Sequence, residues 1–120
     1  MHELSPGNQN PGRKEFTSNR IMRNTILAQQ IKKLVNFQCQ LCETRIQLKD
    51  GNFYCEAHHI KPLGKPHNGP DVKENILVVC PNCHIKCDNA VLKLNLNEIK
   101  NNVQGISIEF IKHHNERFHL

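Results

Sequence analysis

The sequence predicts a small α+β domain that is held together by zinc, with two strands and a helix at its core. A helix is expected before this core and an α/β extension after it. Three observations predict this fold: two Cys-x-x-Cys pairs enclose a hairpin-like segment, an apolar strand runs directly into a helix start at Pro81, and bulky side chains are scarce. Only five Phe, one Tyr and no Trp occur among 120 residues, and domains this small often need a metal to supplement the core.

Composition and charge set broad limits on the function. The length fits one domain, and a formal net charge of +5 favours a polyanionic partner such as DNA. The longest apolar run, residues 76–80, is far too short to cross a membrane, so no membrane association is expected. The N-terminus lacks the basic start and apolar stretch of a secretory signal. We therefore expect a cytoplasmic protein, in which grouped cysteines bind metal more often than they form disulfides.

The chain is expected to divide into a tail and a folded domain. Residues 1–16 are rich in Gly, Pro, Asn and charge and are predicted to be a flexible tail; residues 17–120 are predicted to form the domain, with its core at 37–90. A helix is expected from Thr17 onward, because capping residues precede apolar residues at helical spacing. The apolar residues are Ile21, Leu27, Ala28, Ile31, Leu34 and Val35.

The middle of the chain reads as strand, loop, strand and helix. The Asp50-Gly51 pair predicts a hairpin turn between residues 46–48 and a strand at 53–60. A Pro- and Gly-rich loop follows at 61–71. Residues 75–80 are predicted to be a short buried strand, and Pro81 suits the first turn of a helix that runs to about residue 89.

Two further elements are predicted in the C-terminal extension. Residues 91–96 alternate between apolar and polar side chains as a strand does, and 107–118 read as a capped helix. The run from His113 to Arg117 is interpreted first as packing, with a DNA contact or a polar helix face as alternatives.

The two cysteine pairs predict a structural zinc site. Zinc prefers four thiolates in a tetrahedron, and a two-residue gap lets one tight turn present two sulfurs to the ion. Four protein ligands leave no position open for substrate, so the site is expected to clamp the hairpin region to the late helix. Disulfide pairing is the main alternative. The predicted ligands are Cys39, Cys42, Cys80 and Cys83, while Cys55 and Cys87 are expected to be buried small residues or spare thiols.

Paired histidines on the strand and a histidine on the helix indicate a reacting centre. His58 and His59 are adjacent, and neighbouring strand side chains point to opposite faces, so one can bind a metal while the other acts as a base. His84 and Asp88 stand at i and i+4 on one helix face and can share a divalent ion with a ligand from the strand. The alternative is that these histidines only fill polar positions beside the zinc.

Three segments of the sequence carry a family resemblance. They are Tyr54-Cys-Glu-Ala-His-His-Ile-Lys-Pro-Leu-Gly64, Pro66-His-Asn-Gly-Pro-Asp71 and Asn75-Ile-Leu-Val-Val-Cys-Pro-Asn-Cys-His84. Together they resemble the HNH endonucleases of the ββα-metal finger class. The sequence is most similar to HNH domains of restriction-type enzymes, including those joined to SRA domains that read modified bases. The resemblance covers roughly residues 33–90 and extends to His114-Asn115, which is similar to a His-Asn ending in some of these domains.

The resemblance implies a role for each matching residue. His59 corresponds to the general base that activates water, and Asn75 to the residue that braces the loop and orients this base. His58 and His84 correspond to ligands of a single exchangeable divalent ion.

The third ligand of that ion stays open at this point. Many relatives have a histidine four residues after the helix ligand, where this chain has Asp88; Cys87 is the rival. Aspartate would favour Mg²⁺ or Mn²⁺, whereas a cysteine would favour a softer ion, so Ni²⁺ and Zn²⁺ also stay open.

The activity that the resemblance implies is hydrolysis of DNA phosphodiester bonds, leaving 5′-phosphate and 3′-hydroxyl ends. Lys61, Lys65 and His67 follow the base in the loop and could contact phosphates, although a solvated loop explains them equally well. A single metal centre cuts one strand at a time. A homodimer, or a larger restriction or phage-packaging assembly, is therefore compatible with double-strand cleavage.

Two other classes of protein compete with a nuclease. A non-catalytic zinc module that binds nucleic acid would explain the cysteines and the charge, and a protein-interaction finger would explain the cysteines alone. Both leave His58, His59, Asn75 and His84 without a role.

Overall fold

The computed structural model describes residues 4–10 and 25–117. Residues 4–10, part of the predicted tail, are exposed and contain no helix or strand. The rest of that tail, the predicted helix start at residue 17 and Ile21 lie outside the described residues. None of the described helices has the length and apolar character needed to span a membrane.

Helix α1 (Ile26–Leu34) begins after Thr25, whose hydroxyl accepts a hydrogen bond from the Ala28 amide at 3.2 Å. This contact caps the helix by satisfying one of the amides that have no partner within it. The predicted apolar face is confirmed, because Ala28, Ile31 and Val35 are buried. Leu34, by contrast, is largely exposed.

Four short strands form two separate antiparallel sheets. Strands β1 (Ile46–Gln47) and β2 (Phe53–Tyr54) make the predicted hairpin around the Asp50-Gly51 turn. Strands β3 (Glu56–His59) and β4 (Ile76–Val79) pair over four residues. The single strand predicted at 53–60 is wrong, because the chain changes partner at Cys55. The side chain of Cys55 is buried beneath α1, and nothing in the composition of this run marks the change.

Strand β4 lies at the centre of the core. Its side chains alternate between two apolar clusters: Ile76 and Val78 pack with α1, while Leu77 and Val79 pack with the cysteine region and the C-terminal extension. The strand runs into helix α2 (Pro81–Asp88) with only Cys80 between them. The predicted order of strand, loop, strand and helix is therefore confirmed for β3, the loop at 61–71, β4 and α2, with a 3-10 turn (Lys73–Asn75) directly before β4. The fold is a small α+β domain.

The C-terminal extension contains a 3-10 turn and a helix, and the strand predicted at 91–96 is wrong. Residues 91–95 run without a strand partner into a 3-10 turn at Leu96–Glu98. The side chain of Asn115 bonds both the amide (2.9 Å) and the carbonyl (2.8 Å) of Leu94, and His114 Nε2 donates to the carbonyl of Leu92 at 2.7 Å. Side chains of Asn115 and His114 thus bond to the backbone of this segment in place of a neighbouring strand. Its side chains still alternate between exposed positions and buried or half-buried ones, as the sequence pattern indicates.

The helix that supplies those side chains is α3 (Ile108–Glu116). It starts at Ser107, whose hydroxyl accepts the Glu109 amide at 3.2 Å, so the predicted capped helix is confirmed. The packing role expected for His114 and Asn115 agrees with these contacts, and His114 is fully buried.

Gln40, inside the first cysteine knuckle, ties three parts of the fold together. Its side chain is buried and accepts the Val78 amide at 2.9 Å, and its amide group donates to the carbonyls of Lys100 and Asn101 at 3.1 Å each. The buried side chain of Gln104 pairs with it and also bonds the carbonyl of Ile76. The knuckle is thereby fixed to β4 and to the extension.

Replacing Gln40 with alanine is expected to lower the free energy of unfolding by about 2–3 kcal/mol, because buried partners lose their hydrogen bonds at once. Urea denaturation of the zinc-loaded protein measures this change. Gln30→Ala, at an exposed position of α1, is the matched control and should change stability by less than about 0.5 kcal/mol. Equal stability of the two variants would contradict the role given to Gln40.

Candidate active site

Four cysteines converge where the knuckle meets the start of α2. Their sulfur atoms all lie within 4.8 Å of one another, and those of Cys42 and Cys80 are 3.6 Å apart. Zinc–sulfur bonds of about 2.3 Å in a tetrahedron place sulfurs about 3.8 Å apart, so the cluster fits a zinc ion. The described cysteines form no disulfide. The converging residues are the four that the sequence predicts: Cys39, Cys42, Cys80 and Cys83.

The two remaining cysteines lie away from this cluster. Cys55 packs beneath α1, and Cys87 is fully buried in the apolar core. Burial raises the pKa of the Cys55 thiol to about 11 and that of Cys87 to about 12, so both are protonated at neutral pH. Cys87 is not part of the group formed by His58, His84 and Asp88, and the burial of both cysteines agrees with the expectation that they are buried small residues.

A second group of potential ligands joins β3 to α2. His58 Nδ1 lies 3.3 Å from Asp88 Oδ1, and His84 Nε2 lies 3.6 Å from Asp88 Oδ2. One ligand atom from each of the three residues falls within 4.8 Å of the others. His58 Nε2 is buried and has no hydrogen-bond partner among the described residues. This donor set of two imidazoles and one carboxylate fits a divalent ion.

Burial gives His58 the protonation state that such an ion requires. The ring is 4% exposed, and burial lowers its pKa, against the smaller opposing effect of Asp88. The neutral imidazole is therefore the dominant form at neutral pH, and only a neutral imidazole can bind a metal.

Glu56 is a member of the site that sequence reasoning missed. Its Oε1 atom lies 2.8 Å from His84 Nδ1, on the side of the ring away from Asp88. The sequence Glu56-Ala57-His58 could have indicated this member of the site, since residues two apart on a strand share a face. The partner, however, lies 28 residues later in the sequence.

His59 faces a different carboxylate from His58. Its Nε2 atom lies 2.8 Å from Asp71 Oδ1, in the loop between β3 and β4. The two adjacent histidines thus contact separate groups, as their divergence on the strand predicts. Asp71 also went unassigned, although it closes one of the segments that carry the family resemblance. Its contact with His59 depends on how the loop folds back.

Asn75 braces that loop. The side chain is fully buried; its oxygen accepts the Lys61 amide at 2.8 Å, and its nitrogen donates to the carbonyls of Lys61 (2.9 Å) and Pro70 (2.8 Å). These bonds hold both ends of the loop. They help to position His59 indirectly, because Lys61 is two residues after His59 and Pro70 directly precedes its partner Asp71.

Gly69 is required by the same loop. A Cβ atom at this position would lie 2.0 Å from the carbonyl oxygen of Lys61, a distance that no side chain tolerates. The Gly69 amide donates to the Pro62 carbonyl at 2.7 Å, so the two arms of the loop are in direct contact.

A cleft of about 150 Å³ joins these groups. His58 and His84, which face Asp88, line this cleft. His59, which bonds to Asp71, lines it as well. The lining consists of Ala57, His58, His59, Pro62, Leu63, Gly64, His84 and Asp88.

The predicted DNA contacts lie along the loop that borders this cleft. Lys65 is exposed and Lys61 half-buried. His67 is half-buried and its Nδ1 atom lies 2.9 Å from Nε2 of His113 on α3, so its ring contacts the extension.

Comparison with known proteins identifies the core. Residues 39–89 match the model of the HNH endonuclease family. The match spans both cysteine pairs, β3, β4 and α2, so the chain contains an HNH domain. This confirms the resemblance that the sequence motifs carry.

Two of the similar proteins are restriction enzymes. The methyl-directed Type IV restriction enzyme EcoKMcrA of Escherichia coli K12 is 42% identical over 48 residues, which are 38% of this chain and 17% of that enzyme. The solved structure of the modification dependent TagI restriction endonuclease matches with a TM-score of 0.64 and 26% identity, over 79% of this chain and 38% of that one. Anaredoxin of Nostoc sp. PCC 7120 is 28% identical over 67 residues, 56% of this chain and 78% of anaredoxin. The chain thus corresponds to a minor part of both restriction enzymes.

Changing Cys39 to serine is expected to abolish zinc binding and with it the cooperative unfolding transition, because metal binding is coupled to folding in so small a domain. Zinc content by elemental analysis and thermal melting measure the two effects. Cys55→Ala removes a buried cysteine outside the cluster and should retain one zinc per chain. A full melting transition of the Cys39 variant without zinc would refute a structural zinc site.

Proposed function

We propose that this chain is a metal-dependent endonuclease that hydrolyses DNA phosphodiester bonds and leaves 5′-phosphate and 3′-hydroxyl ends. One observation carries the proposal: His59 lines the same cleft as His58, His84 and Asp88. His59 bonds to Asp71, whereas His58 and His84 face Asp88. Hydrolysis of a phosphodiester requires a base on one side of phosphorus and stabilisation of the leaving oxygen on the other. The family match and the restriction enzymes among the relatives support the same class of reaction.

His59 is the proposed general base. A carboxylate can only accept, so the hydrogen of the His59 ring lies on Nε2, bonded to Asp71, and the lone pair of the neutral ring lies on Nδ1. Nδ1 is then the atom that takes a proton from the attacking water. Asp71 fixes this tautomer, and Asn75 holds the loop that carries Asp71.

His58, His84 and Asp88 are the proposed ligands of the catalytic ion. These residues would hold a divalent ion, which would supply Lewis-acid stabilisation of charge on the scissile phosphate and the leaving 3′ oxygen. The carboxylate of Asp88 favours Mg²⁺ or Mn²⁺. The four cysteines keep a separate, structural role as zinc ligands.

The loop beside the cleft is the proposed DNA contact. Lys61 and Lys65 can neutralise phosphates of the DNA, which positions the strand without reading its sequence. His67 contributes from the same loop, supported by His113. We propose that the domain works in a restriction- or phage-related enzyme, with a second active site from a dimer or a larger assembly where both strands are cut.

His59→Ala is expected to lower the rate of plasmid cleavage about 10²- to 10⁴-fold, because a positioned base contributes that much. Supercoiled plasmid is incubated with the zinc-loaded protein and Mg²⁺ or Mn²⁺, and nicked and linear products are measured on gels. Zinc content and DNA affinity of the variant should match the wild type. Failure of the wild type to cleave with any common divalent ion would favour a nucleic-acid-binding module instead.

Asp71→Ala is expected to lower the same rate about 100-fold, since the base loses the group that orients it. The side chain of Asp71 is 40% exposed, so melting temperature should change little. Asp50→Ala, in the exposed turn between β1 and β2, removes an aspartate outside the cleft lining and should cleave as the wild type does. Equal rates for both variants would exclude Asp71 from the mechanism.

A further inference from the structure

Glu56 and His58 lie on one face of β3, two residues apart, and both reach residues of α2. Glu56 contacts His84, and His58 contacts Asp88. The four side chains therefore alternate as carboxylate, imidazole, carboxylate, imidazole. The successive separations are 2.8 Å from Glu56 to His84, 3.6 Å from His84 to Asp88 and 3.3 Å from Asp88 to His58.

The contact of Glu56 determines which nitrogen of His84 is available. Because a carboxylate only accepts hydrogen bonds, the ring hydrogen of neutral His84 lies on Nδ1, at 2.8 Å from Glu56 Oε1. The lone pair then lies on Nε2, the nitrogen that faces Asp88. A ring bonded at Nδ1 also resists rotation, so Nε2 keeps its direction.

Glu56 is itself held in place. The hydroxyl of Tyr54 donates to its second oxygen, Oε2, at 2.5 Å, and its backbone pairs opposite Val79 at the end of the β3–β4 ladder. The side chain of Glu56 is half-buried, with 27% of its surface exposed. Each of its oxygens thus has a separate hydrogen-bond partner.

The geometry points to Glu56 as the positioning residue of the catalytic ion, acting through His84; this rests on the proposed function, because it requires the ion to bind His58, His84 and Asp88. Histidine ligands of metals commonly donate their other ring nitrogen to a carboxylate, and loss of that partner typically costs 10- to 100-fold in metal affinity. Glu56 would set the affinity of the site without contacting the ion or the substrate.

Binding of Mn²⁺ to the zinc-loaded protein, followed by the electron paramagnetic resonance signal of free Mn²⁺, tests this role. Glu56→Ala is expected to weaken binding about 10- to 100-fold. Glu56→Gln keeps an oxygen that can accept from His84 and should lose less than about tenfold. Glu98→Gln, at an exposed position in the 3-10 turn outside the cleft lining, is the matched control and should bind as the wild type does. Zinc content and melting temperature establish that each variant is folded.

The ring nitrogens of His84 provide a second measurement that a merely stabilising contact would not change. Nitrogen-15 NMR without Mn²⁺ should show His84 as the Nδ1–H tautomer in the wild type and a mixture of tautomers in Glu56→Ala. Unchanged Mn²⁺ affinity in Glu56→Ala, or an unchanged tautomer, would overturn the role of Glu56. If the wild type binds no Mn²⁺, or His84→Ala binds it as the wild type does, the ion site of the proposed function fails, and the role of Glu56 fails with it.

Discussion

The spacing between β3 and α2 is the constraint on which the candidate active site depends. Strand β4 pairs with β3 over four residues and enters α2 through a single residue, Cys80, so the helix cannot move independently of the strand. The cysteine cluster fixes the start of the same helix to the knuckle, and Gln40 fixes the knuckle to β4. Three connections thus converge on one junction. Side chains from β3 and α2 can then meet at hydrogen-bond distances even though both elements are short.

This junction explains how so small a domain holds a cluster of polar groups in its interior. Ion pairs between side chains contribute little where solvent reaches them. Here the imidazole of His58 is almost fully buried, and the apolar residues of β4 pack on both sides of the strand. The apolar core and the cysteine cluster stabilise the domain, and this framework positions the polar groups.

Much of the fold and part of the site followed from the sequence, because their signals are local. The Cys-x-x-Cys pairs, the helix start at Pro81 and the spacing of His84 and Asp88 each involve residues at most four apart. Residues 53–60 and 91–96 were misread because apolar alternation records which side chains are buried and carries no information about the backbone partner. Glu56 and Asp71 were missed because their partners lie 28 and 12 residues away. Only the folded loop and the β3–α2 junction bring these carboxylates to the histidines.

The four-residue pairing of β3 with β4 has a consequence for how this domain tolerates change. Side chains on a strand alternate with a period of two, so a slip of the ladder by one residue would reverse every side chain of β3. The imidazole that faces α2 and the one that faces the loop would exchange places, and Glu56 would turn away from the helix. Insertions or deletions are therefore far more damaging between Cys55 and Ile60 than in the turn between β1 and β2. The register of one short ladder decides which histidine is beside the helix and which is beside Asp71.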